Sequence, residues 1–595
     1  MNNFVKNKIK IIKVPGFHDF RVDHFNELLI PPLGIAVISK YLRDCEFIIE
    51  QDDLNIKIKN EQIYKNGLLY KLNLIKQFKP QNKDRIFSYL KGNKNKKIEC
   101  ILSSLFNDAG IEEFDMILFS CFQTDPTSSL LALCMAKYVK KINKKFIVVI
   151  GGEHHAQQLG PGRNTFIKDN IELIFSFGIM DYYIRGAGEE SIKELLNFIN
   201  GSCDISKIKG LIYKNIDGSV SFNELALPKV RVPDFDGLPL EGYKWMPSKT
   251  FNDIIEKKSF STLEDEKILI LPFQFMIGCP NKCIFCECSN PELKLEVQKP
   301  QDTVEALEYL SNKYHTKYFF FLNSCVNISK AYINELCDRI IDSKLEIMWT
   351  DCARVDNLDR ETLLKMKNAG AVRLVFGLES GSERMLKYLN KRINLSYVEN
   401  VLRWCYEANI WCCLELIPGL PYEREEDIDS TIKFLKNNYK YIDSVFSNTF
   451  YLEPNSIMAY CPEKYGLENI RKMPYILKKF STPSYNLAFD EINGLAWDEK
   501  VEQQYNSYVR IRAALEKLSL DDPDYIDSTH VLFYLYSKFS NKQIIKSNYR
   551  RYFHAMKQKK RKDIIFYALR NPLWVISRFI KVKSLKELMM LFREF

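Results

Sequence analysis

Short apolar runs alternate with helical segments along most of the chain, and this alternation limits the possible folds more than any other feature. In the first segment, residues 1–230, the predicted strands are KIKIIKVPG (8–16), EFIIEQDD (46–53), FDMILFSC (114–121) and KFIVVIGGEHH (145–155). Nearly continuous β-branched runs with helices between them predict a parallel sheet covered on both faces. We therefore predict a Rossmann-like α/β domain, with a helical insertion over residues 56–113.

The same alternation returns after a proline-containing linker, residues 231–262. Residues 263–480 again alternate between strand and helix, which predicts a partial (β/α)6 barrel. In such folds the chemistry gathers at the carboxyl ends of the strands. The last segment, residues 481–595, is predicted to be a helical domain that closes the cavity and selects the substrate. The predicted fold class is α/β with a helical C-terminal domain.

Four cysteines stand within ten residues, 279–288, directly after a predicted strand. Cys279, Cys283 and Cys286 have C-x-x-x-C-x-x-C spacing, and Cys288 follows two residues later. Thiolates are soft ligands that suit zinc or iron–sulfur clusters. Structural zinc usually takes four ligands as two separated pairs, and the sequence has no second pair at that distance. Cys288 as a fourth ligand would strain the loop, whereas three cysteines on a four-iron cluster leave one iron open.

Charge and hydropathy predict no nucleic-acid partner and no membrane span. The net charge of +10 is spread along the chain, and no apolar run reaches the roughly 20 residues that cross a bilayer. The sequence has no export signal, so its sixteen cysteines are expected to be reduced thiols in the cytoplasm. The basic, aromatic tail, residues 557–584, is predicted to pack against the barrel in preference to a membrane surface, because Pro572 interrupts its apolar pattern.

The cysteine loop resembles the signature of the radical S-adenosylmethionine (SAM) enzymes. In that family the same spacing follows the first barrel strand, frequently with an aromatic residue before the third cysteine, as Phe285 is here. The resemblance implies that Cys279, Cys283 and Cys286 bind a 4Fe–4S cluster whose open iron chelates SAM. It also implies reductive cleavage of SAM to a 5′-deoxyadenosyl radical, with electrons from a flavodoxin- or ferredoxin-type donor.

Later motifs resemble the SAM-contacting strands of the same family. VFGLESGSERMLKYLNK matches the fourth-strand motif, LELIPGLPYEREED matches the fifth-strand glycine motif, and CARVD follows the third strand. The family often has an acid at the end of the second strand, where this chain has an asparagine. The positions implied to contact SAM are Phe285, Asn323, Arg354, Glu379, Ser380, Ile417, Gly419 and Glu423.

The first segment resembles the cobalamin-binding domain that precedes the radical domain in one large subfamily. PPLGIAVISKYLRD, FSCFQTDPTSS, GGEHHA and DYYIRGAGEESIKELL match its motifs. The positions implied to contact cobalamin are Ser120, Phe122, Gln123, Thr124, Gly151, Gly152, Gly186, Gly188 and Glu189. The D-x-H-x-x-G loop is absent from the sequence, which predicts a base-off cofactor without imidazole ligation. The alternative is a domain that has lost the corrin and serves as scaffold.

Three functions remain open at this point. The favoured hypothesis is a cobalamin-dependent radical SAM methyltransferase that methylates an unactivated carbon, or phosphorus, of a peptide or secondary metabolite. A second is a cobalamin-containing radical SAM enzyme that cyclises or rearranges its substrate without methyl transfer. The third is a non-catalytic iron–sulfur or zinc-binding interaction protein. The sequence assigns no catalytic residue beyond the cofactor-binding positions.

Overall fold

The computed structural model describes residues 7–15, 30–60, 77–106, 110–121, 126–152, 166–247, 267–290, 292–472, 487–521 and 528–570. The chain divides into two compact units. The first unit comprises Met1–His18, Ile30–Tyr243 and Ile270–Pro523, and it contains both of the large sheets. The second comprises Asp19–Leu29, Lys244–Leu269 and Asp524–Phe595.

A seven-stranded sheet occupies the first part of the first unit. Its strands are β1 (Lys8–Lys13), β2 (Ile48–Asp53), β3 (Met116–Ser120), β4 (Ile147–Gly151), β5 (Tyr182–Ile184), β6 (Leu211–Lys214) and β7 (Val220–Phe222). They are hydrogen-bonded in the order β2-β1-β3-β4-β5-β6-β7. The strands from β2 to β5 are parallel, and β6 and β7 add an antiparallel hairpin at one edge. The predicted Rossmann-like α/β sheet is confirmed.

Helices cover this sheet and explain why its central strands are apolar throughout. They are α1 (Leu33–Asp44), α2 (Leu54–Asn60), α3 (Lys83–Leu90), α4 (Lys96–Phe106), α5 (Pro126–Ile142), α6 (Phe166–Asp169), α7 (Ile171–Ser176) and α8 (Gly188–Ile199). All five residues of β3 are buried, as expected for a strand with both faces covered. Helices α2, α3 and α4 fall in or at the border of the stretch predicted as a helical insertion.

The direction of strand order changes between β1 and β3. In doubly wound sheets a ligand crevice lies outside the carboxyl ends of the strands at such a point. Lys13 pairs in register with Asp53 on one side and Ser120 on the other, so these three residues mark the carboxyl edge of the sheet. The topology therefore places a candidate ligand site beside Ser120.

Six parallel strands form the second sheet, in the order β15-β14-β13-β12-β11-β8. They are β8 (Ile270–Phe273), β11 (Tyr318–Phe321), β12 (Met348–Ala353), β13 (Ala371–Glu379), β14 (Trp411–Leu416) and β15 (Ser444–Ser447). Two antiparallel pairs accompany them, namely β9 (Met276–Ile277) with β10 (Glu296–Val297) and β16 (Leu467–Lys472) with β17 (Leu487–Glu491). The predicted partial (β/α)6 barrel is confirmed.

Helices follow most of the barrel strands. They are α9 (Pro300–Tyr314), α10 (Lys330–Asp342), α11 (Arg360–Asn368), α12 (Glu383–Tyr388), α13 (Leu395–Glu407), α14 (Glu425–Asn438), α15 (Ile457–Tyr460) and α16 (Trp497–Leu518). Local sequence sets several of their starts. Ser329, Asp359 and Asn394 each accept a hydrogen bond from a backbone N–H in the first turn of α10, α11 and α13.

Asp234, in the segment predicted as a linker, connects the two sheets. Its carboxylate lies 2.6 Å from Arg43 Nη1 on α1 and 3.0 Å from Lys313 Nζ on α9, and it accepts a hydrogen bond of 2.7 Å from the Tyr314 hydroxyl. Burial alone would raise the pKa of Asp234, but these donors and the Asp236 N–H together hold that pKa well below its usual range. One carboxylate therefore ties a helix of each sheet to the connecting segment.

The second unit contains α17 (Ser528–Lys538) and α18 (Lys542–Arg570). Within it, Trp245 pairs with Ile268 in an antiparallel bridge, and the Trp245 ring lies 5.7 Å from that of Tyr534. Over the described residues, no helix combines the length and apolar character that crossing a bilayer requires. The tail after residue 570, predicted to pack against the barrel, lies outside the described residues.

Candidate active site

The three cysteines of the C-x-x-x-C-x-x-C motif lie on the loop between β9 and β10, beyond the carboxyl end of β8. Cys283 is buried, and Cys279 and Cys286 are half-buried. Burial raises the pKa of the Cys279 and Cys283 thiols, and the neighbouring Cys286 adds to the rise at both. The three sulfurs therefore lie within electrostatic reach of one another. The fourth thiol, Cys288, hydrogen-bonds to Cys286 and accepts a hydrogen bond of 3.3 Å from Ser324 Oγ.

The turn after α12 is hydrogen-bonded to the cysteine loop. The Ile284 N–H donates to the Leu389 carbonyl at 3.2 Å, and Asn390 Nδ2 donates to the Lys282 carbonyl at 2.7 Å. Lys391, the next residue of the turn, is buried. The backbone of the turn thus positions the loop while the Lys391 side chain extends into the interior.

A buried ion pair lies beside Cys283. Lys391 Nζ is 2.7 Å from Glu379 Oε1, and both side chains are less than a tenth exposed. Burial alone would lower the pKa of Lys391, but the carboxylate of Glu379 raises it above its ordinary value. Arg354 adds a second cation, with Nη1 3.6 Å from Cys283 Sγ and Nη2 donating to the Lys391 carbonyl at 2.7 Å. Two cations and a carboxylate therefore surround one thiol of the motif.

Glu379 has a backbone conformation that is rare for a residue with a side chain. Its φ is +65°, in the left-handed region, and the pairing of β13 with β14 shifts register between Gly377 and Glu379. A strained residue at a strand end persists only where surrounding contacts hold it, and such residues concentrate at functional sites. The bulge directs the Glu379 carboxylate toward Lys391.

Asn323 orders the approach to the cysteine loop. Its Oδ1 accepts hydrogen bonds from the Phe275 N–H at 3.1 Å and the Met276 N–H at 2.9 Å, and its Nδ2 donates to Asp351 Oδ2 at 2.7 Å. Burial raises the pKa of Asp351 to about 8, although the hydrogen bonds from Asn323 and the Cys352 N–H oppose that rise. Both polar atoms of the Asn323 side chain therefore have protein partners, and the carboxylate in this region belongs to Asp351 on β12.

Glu415 presents a carboxylate at the carboxyl end of β14. It is half-buried, and among the described residues its side chain has no hydrogen-bond or ion-pair partner. Burial, together with the charge of Glu379, raises its pKa to about 7. Burial raises the pKa of the Cys352 thiol on β12, and the charge of the nearby Glu415 adds to that rise. Glu415 is thus a carboxyl group available to a bound molecule inside the barrel.

The loop after β14, residues 417–423, is called the fifth-strand loop here. It is held by the carboxylate of Glu423 and by helix α16. Glu423 Oε2 accepts a hydrogen bond of 2.6 Å from the Gly419 N–H, and burial raises the pKa of Glu423 to about 7. Gly419 has a φ of +86°, and a Cβ placed on it would lie 2.6 Å from Gln504 Cγ of α16. Both residues therefore shape this loop through protein contacts, while the neighbouring Ile417 is half-buried.

The remaining predicted SAM positions, Ser380 and Phe285, have different neighbours. Ser380 is buried, and its Oγ lies 3.3 Å from Thr431 Oγ1 on α14, so it faces that helix. Phe285 is half-buried in the loop itself, with Lys391 Nζ 5.9 Å from its ring centre. Phe285, Glu379 and Arg354 therefore share the surroundings of the thiols.

The predicted cobalamin positions lie at the carboxyl edge of the first sheet. Ser120 and Gly151 end the paired strands β3 and β4, and Gly152 follows with a φ of +110°. A Cβ on Gly152 would lie 2.7 Å from the Cys121 carbonyl oxygen and 2.8 Å from Ser120 Oγ, so only glycine fits this position. Phe122, Gln123 and Thr124 lie outside the described residues.

The third group of predicted cobalamin positions begins helix α8. Gly186 forms a bridge with Ala226, Gly188 packs against Ile38 of α1, and Glu189 is buried. Burial raises the pKa of Glu189, and Arg231 opposes the rise. These contacts fix the turn after β5 at the same edge of the sheet as Ser120.

The donor atoms fit a cluster better than a single ion. Within the described ranges, no three His, Cys, Asp or Glu side chains lie close enough to hold one metal ion. The ligands of a four-iron cluster stand farther apart than those of one ion, since each binds a different iron. Soft thiols with two cations beside them suit such an anionic cluster. The first sheet offers glycines and the Ser120 hydroxyl at its switch point, which suits a large polar cofactor.

Three residues of the site were not predicted from the sequence, namely Lys391, Asp351 and Glu415. Lys391 ends the fourth-strand motif, Asp351 precedes CARVD, and Glu415 stands within the fifth-strand motif. Charged residues inside apolar strand segments were the available signal for Asp351 and Glu415. Nothing in the sequence indicated that Lys391 would fold back onto Glu379.

Comparison with known proteins supports the resemblance of the cysteine loop and barrel to radical SAM enzymes. Residues 273–435 match the model of the radical SAM superfamily. An uncharacterized methyltransferase of Pyrococcus horikoshii is 27% identical over 331 residues, which are 55% of this chain and 65% of that protein. An anaerobic magnesium-protoporphyrin IX monomethyl ester cyclase of Synechocystis sp. is 21% identical over 296 residues, 49% of this chain and 54% of that protein. The chain thus spans between half and two thirds of these relatives.

A solved structure has the same overall fold. The radical SAM methyltransferase TsrM from Kitasatospora setae, solved with cobalamin and a 4Fe–4S cluster bound, has a TM-score of 0.55 and 15% sequence identity. The likeness covers 94% of this chain and all of that one.

The barrel, the cysteine loop and the match over residues 273–435 together identify a radical SAM domain in this chain. The overall fold, a Rossmann-like sheet that precedes the barrel, is the one seen in the TsrM structure. The family resemblance and the fold class predicted from the sequence are both confirmed.

Proposed function

We propose that this chain is a cobalamin-dependent radical SAM methyltransferase that methylates an unactivated carbon, or a phosphorus, of a peptide or secondary metabolite. The observation that carries the proposal is the placement of Cys279, Cys283 and Cys286 beside the Lys391–Glu379 pair, at the carboxyl ends of six parallel strands. The same compact unit contains the seven-stranded sheet, whose topology supports a candidate cofactor site beside Ser120.

The three cysteines would hold the cluster, and the residues around them would hold SAM. When bound, the cluster and SAM supply a 5′-deoxyadenosyl radical, and cobalamin supplies a methyl group. Arg354 and Lys391 provide positive charge beside the thiolates, and Glu379 provides an acceptor for an ammonium or a ribose hydroxyl. Burial of Lys391 and Glu379 strengthens these interactions, because little water screens them.

The residues deeper in the barrel would receive the substrate. Glu415 offers a carboxyl group without a partner among the described residues, whereas Asp351 is already bonded to Asn323. A substrate with a hydrogen-bond donor near the reacting carbon fits such a lining. Electrons would come from a flavodoxin- or ferredoxin-type donor.

The names of the compared proteins support methyl transfer, since both the relative from Pyrococcus horikoshii and the protein from Kitasatospora setae are described as methyltransferases. A second candidate, cyclisation or rearrangement without methyl transfer, is supported by the relative described as an anaerobic cyclase. The two candidates share the radical and differ in the fate of a second SAM.

Product analysis separates these candidates. The chain is reconstituted anaerobically with iron, sulfide and cobalamin, reduced, and supplied with SAM and candidate peptides. Methyl transfer should yield S-adenosylhomocysteine together with 5′-deoxyadenosine and a product heavier by one methyl group. Deoxyadenosine with an unmethylated product would favour the second candidate. Zinc uptake without the absorption of iron–sulfur charge transfer would contradict both.

A further inference from the structure

Side chains of helix α16 donate hydrogen bonds to backbone carbonyl groups of the fifth-strand loop. Gln504 Nε2 donates to the Gly419 carbonyl at 3.3 Å and to the Phe450 carbonyl at 3.1 Å. Lys500 Nζ donates to the Leu420 carbonyl at 2.5 Å, and Gln503 donates to the Glu423 carbonyl. Three carbonyl groups within residues 419–423 are thus bonded by side chains of one face of α16.

The side chains of Lys500 and Gln504 are buried, so loss of these hydrogen bonds would leave polar groups without partners away from water. Gln504 is 3% exposed, and the Lys500 side chain is completely buried with its Nζ 3.0 Å from Glu491 Oε1. Glu491 Oε1 also accepts a hydrogen bond of 2.8 Å from the Tyr422 N–H. Burial lowers the pKa of Lys500, and the carboxylates of Glu491 and Glu423 oppose that change. A buried amine and a buried amide with these partners specify one arrangement of the loop.

The helix also limits the space on the outer side of the loop. The position of a Cβ on Gly419 would lie 2.9 Å from both Cα and Cβ of Gln504, so the two backbones are in direct contact. The loop therefore has no room to move toward α16. This arrangement joins α16, in the segment expected to select the substrate, to the fifth-strand motif, whose positions are implied to contact SAM.

We propose that Gln504 is a positioning residue for SAM, which acts by fixing the carbonyl groups of Gly419 and Phe450. The inference rests on the proposed function, because it concerns the same SAM site. It assigns α16 to cosubstrate binding. Loss of the two hydrogen bonds from Gln504 should loosen the loop and weaken SAM binding, with little effect on the reaction once SAM is bound.

The test uses the full reconstituted chain and SAM as the probe. Gln504→Met keeps the length of the side chain and removes both donors. We expect the dissociation constant for SAM to rise about tenfold, a change of about 1.4 kcal/mol in binding free energy, because the loop loses both hydrogen bonds from this side chain. The rate of 5′-deoxyadenosine formation at saturating SAM should stay within about twofold, with iron and sulfide content unchanged. Asn506→Ala, at an exposed position of the same helix, should leave both quantities as in the parent chain.

Amide hydrogen exchange on the unmodified chain provides a second measurement, should Gln504→Met fold poorly. SAM should slow exchange in residues 417–423 and in residues 500–507 together, because the two segments are bonded. Protection of the loop alone, or an unchanged affinity in Gln504→Met, would overturn the inference while leaving the proposed function intact. If the parent chain itself neither binds nor cleaves SAM, the proposed function fails first.

Discussion

Lys391 and Glu379 form a salt bridge of 2.7 Å beside the buried Cys283 thiol, although twelve residues and a helix separate them in sequence. The strained backbone at Glu379 and the tight turn at Lys391 bring the two charges together. A buried pair of this kind is more informative about function than about stability, because desolvation offsets much of the attraction between its members.

Removal of one member of this pair should be costly, and removal of both should be less so. Lys391→Met leaves Glu379 as an uncompensated buried carboxylate, and we expect a loss of about 3 kcal/mol in the free energy of unfolding. The double variant Lys391→Met/Glu379→Gln should recover at least half of that loss. Urea denaturation measures both, with the exposed Lys387→Met as the control. Equal losses in the single and double variants would contradict the pairing.

The cysteine loop gives a prediction with a matched control inside the same ten residues. Cys279→Ala, Cys283→Ala and Cys286→Ala should each lose most of the bound iron and all reductive cleavage of SAM, because a ligand of the proposed cluster is missing. Cys288→Ala should keep the bound iron and the cleavage of SAM. The Cys288 thiol is hydrogen-bonded to Cys286 and Ser324 and is not one of the three proposed ligands. Iron and sulfide analysis with electron paramagnetic resonance tests this. Iron loss in Cys288→Ala would show that the fourth thiol is a ligand.

Glu415 should make stability depend on pH near neutrality. Its folded pKa of about 7 is above the ordinary value of 4.5, so the protein favours the protonated form. The stabilisation is complete below pH 4.5 and is lost as the pH rises through 7. Glu415→Gln should therefore match the parent near pH 4.5 and exceed its free energy of unfolding by on the order of 2 kcal/mol at pH 8. The exposed Glu346→Gln should show no such trend, and a parallel trend there would refute the assignment.

Asp234 should show the opposite dependence on pH. Its depressed pKa means that its stabilisation is present above the unfolded value near 3.8 and is lost as the pH falls further. Asp234→Asn should be less stable by about 2 kcal/mol at pH 7, because Arg43 and Lys313 lose a charged partner. The difference from the parent should shrink as the pH approaches 2. Asp342→Asn, at an exposed position, is the control for titration of surface carboxylates.

Two glycines, one after a strand of the first sheet and one in a helix that covers it, should respond in opposite ways to the same substitution. Gly152→Ala places a methyl group against the Cys121 carbonyl and Ser120 Oγ, so we expect a loss of about 2 kcal/mol and weaker uptake of cobalamin. Gly34→Ala, in α1, meets nothing within 4 Å and should stabilise the protein by roughly 0.5–1 kcal/mol. Thermal unfolding and cobalamin absorbance measure these effects. Tolerance of Gly152→Ala would argue that the strand ends adapt.

Local sequence patterns were sufficient to predict most of the strands of the fold. The apolar run at Met116–Ser120 and the run at Tyr318–Phe321 predicted buried parallel strands, because only covered sheets bury consecutive apolar residues. The cysteine spacing likewise predicted the loop after β8. These features depend on neighbouring residues, which sequence displays directly.

Contacts between distant segments were harder to predict. The sequence predicts that Asn323 and Glu423 contact SAM. In the structure the Asn323 side chain donates a hydrogen bond to Asp351, and the Glu423 carboxylate accepts one from the Gly419 N–H. Whether either also touches SAM stays a prediction. Lys391 was missed because a buried cation is recognisable only once its carboxylate partner is placed in space.

The connection through Asp234 has a consequence for protein engineering. Because Arg43 belongs to a helix of the first sheet and Lys313 to a helix of the barrel, neither half carries the complete set of partners. A chimera that takes the first sheet from one homologue and the barrel from another must inherit Arg43, Asp234 and Lys313 as a set. Expression of one half without the segment that carries Asp234 would remove a carboxylate partner from Arg43 or Lys313.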